Sequence, residues 1–303
     1  MANIKQPLRI LSLDGGGVRG LSSLLILRSI MENIAKEKKD GTSIDSMRPC
    51  DYFDCITGAG IGGVIALLLG RLKLTMLECT VEYRMLSSLN YRDASISPLF
   101  DINDFLSICN RITKKYENPN MLQEPGNEGP LTFVYAMAKN KELQCLRTYP
   151  SADDPIDPKQ TPISTVMAAL MTARGLFNEV SLNGEFGDKV TFLDQPYPWS
   201  FSNPITEAVT EAQGRIKGAE IGVIVSIGTG EVAKDDIQDL ALLGQLDLPG
   251  SLNQSLLKIV WPLSLPYRAV SWAFGSSVHW EARSLYLNAM KAALAIPIQN
   301  FEG

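Results

Sequence analysis

Residues 8–20 read LRILSLDGGGVRG, an apolar run that ends at one aspartate and three glycines. The run over 8–13 has the length and composition of a buried strand, and the glycines after it are typical of a tight turn. Apolar spacing beyond the turn predicts a helix from about 18 to 38. The segment therefore predicts a strand–turn–helix unit that gathers backbone N–H groups at the start of a helix.

The same pattern occurs a second time along the chain. An apolar strand is predicted over 52–57, glycines follow at 58, 60, 62 and 63, and the apolar run 64–69 predicts another helix. Further strands and helices alternate after it. This alternation predicts an α/β fold, a three-layer sandwich with a mostly parallel sheet and helices on both faces. The additional elements are a helix over 74–89, paired strands over 131–139 and 142–148, a helix over 165–172, and buried strands over 190–193 and 221–226.

Composition and charge exclude several classes of protein. The chain has 303 residues, of which 45% are hydrophobic and 20% charged, as in a globular protein with a core. Its net charge of −5 gives no basic surface for nucleic acid, so we expect no nucleic-acid partner. No apolar run reaches the length of a membrane span, and residues 1–7 lack the apolar centre of a signal peptide. We expect one cytoplasmic domain over 1–303, with core motifs in 8–230 and an extension in 231–303.

Metal and histidine chemistry have little support in the sequence. Five scattered cysteines without a CxxC pair, and a single histidine, favour neither a disulfide framework nor a metal site. Cys55 falls inside a predicted strand and is interpreted as a core residue. His279 is interpreted as structural. A catalytic dyad without histidine remains open to this chain.

Both glycine turns could bind an anion, because each places unhindered N–H groups at a helix N-terminus. Each also fits the letters of a dinucleotide fingerprint, so a flavin- or dinucleotide-binding site at 58–63 is one alternative. In that alternative Glu78 would bind the ribose. The ribose site needs a strand that ends at the acid, whereas 74–89 keeps helical spacing through Glu78.

Residues 14–20, DGGGVRG, match the oxyanion motif of the patatin-like phospholipase family, and the chain resembles the fungal members especially. The resemblance continues through 58–72, where the family has its G-x-S-x-G nucleophile elbow and helix. It extends to SIGTG at 226–230, and to FLD at 192–194 with Asn203-Pro204. It covers about residues 8–230 and implies a patatin-like α/β fold.

The resemblance also implies a serine–aspartate dyad beside an oxyanion hole. It assigns Asp194 as the base. Arg19 is either a solvated charge in the first helical turn or a residue that orders the glycine loop, and because a positive charge is unfavourable at a helix start, the ordering role is favoured. The nucleophile position is occupied by Gly60, which has no side chain and cannot attack an ester. A nucleophile elbow strains a non-glycine residue by about 1–3 kcal/mol, so glycine should leave stability unchanged or raise it. The oxyanion hole is assigned to the N–H groups of Gly15, Gly16, Gly17 and Ile61.

Further departures lie away from the nucleophile position. Asp194 is followed by Gln195 and Pro196 where the family has D-G-G or D-G-A, and the spacing to Asn203 is longer. An ungapped count back from Phe177 places Ala168 where the family has an arginine.

Three functions follow as hypotheses. The first is a lipid acyl hydrolase scaffold that binds a lipid or acyl ligand without ordinary ester hydrolysis, with peripheral membrane contact as an option. The second is a non-hydrolytic enzyme, a lyase, isomerase or cyclase, that uses the oxyanion loop and Asp194. The third is the flavin- or dinucleotide-binding protein. The first two need no cofactor or metal. Aromatic residues in 261–280 are consistent with a flap over the ligand, an interfacial surface or, equally, ordinary core packing.

Overall fold

The computed structural model describes most of the chain up to Thr229. The described residues are 7–38, 41, 43–89, 100–117, 119–123, 129–151, 154–173, 177–184, 188–194, 201–216 and 220–229. Strands and helices alternate along it. They are β1 (Leu8–Leu13), α1 (Gly20–Lys38), β2 (Cys55–Ala59), α2 (Gly60–Ala66), α3 (Met76–Leu86), α4 (Ile102–Lys115), β3 (Leu131–Met137), β4 (Leu143–Arg147), α5 (Ile163–Leu170), β5 (Val180–Asn183), β6 (Lys189–Phe192), α6 (Ile205–Arg215) and β7 (Ile221–Ile227).

A five-stranded sheet organises these elements in the order β4-β3-β2-β1-β7. All neighbouring strands run parallel except β3 and β4, which form an antiparallel pair at one edge. Leu13 at the end of β1 pairs with Gly58 near the end of β2. The carboxyl ends of the two strands therefore meet, and both glycine turns leave the sheet side by side, which is where open parallel sheets bind ligands.

Helices cover both faces of the sheet. On one face Leu11 and Leu13 of β1 join the large core with α1, α2, α3 and α5. On the other, Leu8 and Ile10 pack with Ala208 and Ala212 of α6. This alternation of β1 side chains between two cores is what a strand buried on both faces requires. The predicted fold class, a mostly parallel sheet between helical layers, is confirmed.

One predicted strand belongs elsewhere. The segment 190–193 was expected among the buried strands of the main sheet, but β6 pairs with β5 in a separate two-stranded antiparallel sheet. Its side chains are only partly covered up to Phe192, so its apolar residues do not mark a central strand. The sequence analysis also missed three elements, β5, α4 and α6.

Glu78, the ribose-binding residue of the dinucleotide alternative, has a structural role. It is the third residue of α3, and its carboxylate accepts the Thr75 N–H at 2.8 Å while the Thr75 hydroxyl accepts the Glu78 N–H at 3.2 Å. This reciprocal pair is a capping box. The strand that a ribose-binding acid should follow is absent at this position, because α3 begins at Met76.

A buried charge cluster fastens α6 to the edge of the sheet. Arg147 of β4 donates two hydrogen bonds of 2.7 Å to Glu211, and also pairs with Asp154. Burial opposes ionisation of Glu211, but hydrogen bonds from Arg147, Arg215 and Tyr149 outweigh it and lower the Glu211 pKa to about 2. The anchored helix begins at Ile205, so residues 201–204 just before it are held over the carboxyl end of β1.

Candidate functional site

The second glycine turn forms a sharp strand-to-helix turn at Gly60, the position of the predicted nucleophile elbow. Gly60 follows β2 directly, begins α2 and has φ of +52°, a left-handed conformation that costs a non-glycine residue strain. A Cβ at Gly60 would meet the Gly15 Cα at 3.5 Å, an ordinary contact. The position therefore has the geometry of an elbow and room for a side chain.

The neighbouring glycines have no such room. A Cβ at Gly58 would collide with the Gly62 backbone, and a Cβ at Gly62 would collide with the carbonyl of Leu13. Packing thus enforces glycine on both sides of Gly60 but not at Gly60 itself. Gly60 has no side chain, although the surrounding backbone leaves space for one.

The first glycine turn is held by hydrogen bonds to successive carbonyl groups. The Thr229 hydroxyl donates to the Gly15 carbonyl at 2.8 Å, Arg19 Nε donates to that of Gly16 at 3.4 Å, and the Tyr83 hydroxyl donates to that of Gly17 at 3.2 Å. We call residues 14–20 the oxyanion loop, after the role that the sequence resemblance predicts for them. Its three anchors come from the end of β7, from the loop and from α3.

The predicted oxyanion donors differ in their surroundings. The Gly15 N–H is already bonded to the Ser202 carbonyl at 2.8 Å, because the segment before α6 lies over it. No residue in the described part of the chain accepts a hydrogen bond from the N–H of Gly16 or Gly17. Ile61 lies in the first turn of α2, where helical N–H groups have no partner within the helix.

Asp14 is a titratable group that the sequence analysis used only as the start of a motif. It is half-buried at the end of β1, and Asn203 Nδ2 donates to its Oδ2 at 3.3 Å. Its Oδ1 is buried without a hydrogen-bond partner among the described residues. Burial raises the Asp14 pKa to about 6. An acid at a strand end, before glycines, was the available sequence signal, but its burial depends on residues 201–204.

An apolar cleft adjoins the oxyanion loop. It is a narrow cleft with a cavity volume of about 50 Å³, and its walls include Gly17, Ile61, Tyr83, Leu86, Phe105 and Phe177. Phe177 stacks on Phe100 with ring centroids 5.3 Å apart and meets Phe105 edge-on at 5.7 Å. The cleft therefore runs from the residues beside Gly60 to a cluster of aromatic rings, a lining suited to a hydrocarbon chain.

Comparison with known proteins gives partial matches to phospholipases. The chain is 48% identical over 65 residues to a cGAMP-activated phospholipase of Vibrio cholerae, covering 22% of this chain and 17% of that protein. It is 37% identical over 90 residues to phospholipase A I of Arabidopsis thaliana, covering 30% and 6%. A third relative, Patatin-like phospholipase 1 of Plasmodium falciparum, is 40% identical over 67 residues, covering 22% and 9%. These partial matches make the chain similar to patatin-like phospholipases over the matched regions.

These matches have defined limits. The chain matches less than a fifth of the length of each of these three relatives. No protein-family model matches the sequence. The comparisons therefore support a patatin-like scaffold for lipid acyl hydrolysis, and the activity of this chain is a separate question.

The patatin-like base position is tied to the segment that follows α5. The Asp194 N–H donates to the Thr172 carbonyl at 2.8 Å, and Asp194 forms a parallel bridge with Ala173. Two residues before Thr172, the Leu170 carbonyl oxygen lies 4.0 Å from a Cβ placed at Gly60. Asp194 therefore contacts the residues just after α5, and the last residue of α5 passes near Gly60. Ala168, at the family's arginine position, is fully buried in α5.

Several sequence predictions lie outside the described residues. They are His279, the aromatic stretch 261–280, the extension 231–303, and the Gln195-Pro196 departure. Within the described ranges, all five cysteines are free, and Cys55 is fully buried, as predicted for a core residue. No group of three metal-ligating side chains and no helix fit to cross a bilayer occurs among those residues.

Replacing Asp14 by asparagine should change how stability depends on pH. The folded chain holds the Asp14 proton up to a pKa of about 6, whereas an aspartate in the unfolded chain has its ordinary pKa of 3.8. Protonated Asp14 therefore contributes its full stabilisation of the folded state below about pH 4, and this contribution is lost as the pH rises through 6. Asp14→Asn removes the buried charge, so we expect this variant to gain stability relative to the unmodified chain at pH 8 but not at pH 4. Urea unfolding at both values tests this, with Asp104→Asn, an exposed acid of α4, as control. An equal Asp14→Asn effect at both pH values contradicts the prediction.

Proposed function

We propose that this chain is a patatin-like lipid acyl hydrolase scaffold that binds a lipid or acyl ligand without ordinary ester hydrolysis. The observation that carries the proposal is Gly60, an elbow with room for a nucleophile and no side chain to supply one. The other site components are retained: the oxyanion loop is anchored, and Asp194 occupies the family's base position.

The apolar cleft supports the choice of an acyl ligand. It starts at Gly17 and Ile61, so a hydrocarbon chain inside it would bring its carbonyl carbon to the oxyanion loop. Each buried methylene contributes about 0.8 kcal/mol, so several of them suffice for binding without covalent chemistry. On α3, Val81 and Met85 are 44% and 39% exposed and lie four residues apart. In this proposal they form an apolar surface for peripheral membrane contact near the cleft.

Binding of 2-decanone tests the ligand class, because this methyl ketone has an alkyl chain and a carbonyl but no ester to hydrolyse. We expect the unmodified chain to bind it in isothermal titration calorimetry. Ser87 is exposed and lines the cleft, whereas Ser88 is exposed and does not. Ser87→Trp should weaken binding about tenfold or more, the cost of excluding two methylenes, while Ser88→Trp should not.

The two serines are a matched pair. Each donates its hydroxyl to the carbonyl three residues earlier, Ser87 to Arg84 and Ser88 to Met85. The two tryptophan variants therefore lose the same kind of contact and differ in their position relative to the cleft. Equal losses of affinity, or no binding by the unmodified chain, count against the proposal.

A second candidate, the non-hydrolytic enzyme, is favoured by the half-buried Asp14, whose pKa is raised to about 6, together with Asp194 and the anchored loop. Such an enzyme would polarise a carbonyl and move a proton. The same 2-decanone samples in D2O distinguish the two candidates by NMR. Under the main proposal, the protons next to the carbonyl exchange at the buffer rate. Faster exchange that disappears in Asp194→Asn would instead establish the second candidate.

A further inference from the structure

We propose that Tyr83 is a positioning residue that orients the oxyanion loop toward a ligand held in the apolar cleft. This inference rests on the proposed function, and it adds a residue of α3 to a site that the sequence motifs place in the two glycine turns. It also adds one backbone donor, the Val18 N–H, to the predicted oxyanion hole.

Tyr83 touches both parts of the site. Only 2% of its surface is exposed, and it forms part of the cleft wall. Its hydroxyl donates to the Gly17 carbonyl at 3.2 Å. The hydroxyl oxygen also lies 3.1 Å from a Cβ placed at Gly20, so α3 and the start of α1 are in close contact here. One side chain therefore joins the hydrocarbon part of the site to its polar part.

Because the peptide bond is planar, a hydrogen bond that holds one carbonyl also orients the N–H of the next residue. In a trans peptide, the carbonyl of one residue and the N–H of the next point in opposite directions. Thr229 holds the Gly15 carbonyl and so sets the Gly16 N–H, and Arg19 in the same way sets the Gly17 N–H. Tyr83 holds the Gly17 carbonyl and so sets the Val18 N–H.

Fixed N–H groups stabilise an oxygen better than mobile ones, because no reorganisation is needed when the charge arrives. Gly17 has φ of +57°, and its missing side chain leaves the peptide with little steric restraint of its own. The Gly20 N–H already donates to the Gly17 carbonyl, and the Tyr83 hydroxyl adds a second restraint on that carbonyl from α3. Its ring fills the cleft wall whether or not the hydroxyl is present, so the two roles can be separated by one substitution.

Tyr83→Phe keeps the ring and removes the hydroxyl. We expect the bound carbonyl of 13C-labelled 2-decanone to show a smaller infrared red shift in this variant than in the unmodified chain. Its affinity should fall about two- to tenfold, the range for one hydrogen bond. Tyr149→Phe is the control, because the Tyr149 hydroxyl donates to Glu211 at 2.8 Å on the opposite face of the sheet. It should leave both the frequency and the affinity unchanged.

A kinetic measurement in the Gly60→Ser background gives an independent readout. There, Tyr83→Phe should lower kcat for p-nitrophenyl decanoate with little change in KM, because the chain still fits the cleft. If Tyr83→Phe binds 2-decanone with the same carbonyl frequency as the unmodified chain, or if only KM changes, the Tyr83 assignment is overturned and the proposed function stands. Failure of the unmodified chain to bind 2-decanone overturns the proposed function and this assignment with it.

Discussion

Gly60→Ser should convert a chain that does not react with a fluorophosphonate into one that is labelled stoichiometrically and hydrolyses p-nitrophenyl decanoate. A serine Cβ at this position meets the Gly15 Cα at 3.5 Å, so the new hydroxyl is placed beside the oxyanion loop without a collision. The cost is the strain of a non-glycine residue in the left-handed conformation at φ +52°, about 1–2 kcal/mol. A folded domain with about 5–15 kcal/mol of stability tolerates that cost.

Two controls separate the parts of this expectation. Gly60→Ala adds the same Cβ and strain but no oxygen, so it should fold like Gly60→Ser and remain unlabelled. Adding Asp194→Asn to Gly60→Ser should remove hydrolysis if Asp194 is the base. Activity in neither Gly60 variant would mean that the site is rebuilt around Gln195 and Pro196, and would favour non-hydrolytic chemistry. Activity in the unmodified chain would falsify the nucleophile assignment.

The sequence was sufficient for the features that depend on neighbouring residues. The strand β1 and the glycine turn after it follow from a continuous apolar run that stops at Asp14. The elbow at Gly60 likewise lies within one short segment. Local patterns could not place β6, because its apolar residues suit either a main-sheet strand or a small hairpin. Only the pairing partner distinguishes these, and β5 was not detected.

The parts of the site that the sequence did not predict depend on residues far apart in the chain. The Ser202 carbonyl accepts a hydrogen bond from the Gly15 N–H, and Asn203 donates one to Asp14. Both contacts join residues from opposite ends of the described chain. The Tyr83 contact with Gly17 joins two helical segments separated by 66 positions. A motif identifies the loop, but the partners that bury its acid and orient its carbonyls come from the packing of α3 and of the segment before α6.

Gly62→Ala should destabilise the fold strongly, although helix propensity alone predicts the reverse. Gly62 lies within α2, where alanine is favoured over glycine by about 1 kcal/mol. A Cβ at Gly62, however, would collide with the Leu13 carbonyl, and backbone at the end of a central strand cannot move aside as a side chain can. Overpacking of this kind costs about 3 kcal/mol or more, which exceeds the gain in propensity.

Urea unfolding of Gly62→Ala beside Gly60→Ala measures this difference. The two substitutions add the same methyl group two residues apart on one helix, but only Gly60 has space for it. Gly60→Ala should lose only the strain of its left-handed conformation, about 1–2 kcal/mol. Gly62→Ala should therefore unfold at a clearly lower urea concentration. If it were as stable as Gly60→Ala, the close packing of α2 on β1 would be wrong. The conclusion that packing requires glycine at position 62 but not at position 60 would then fail as well, because it rests on the same contacts between α2 and β1.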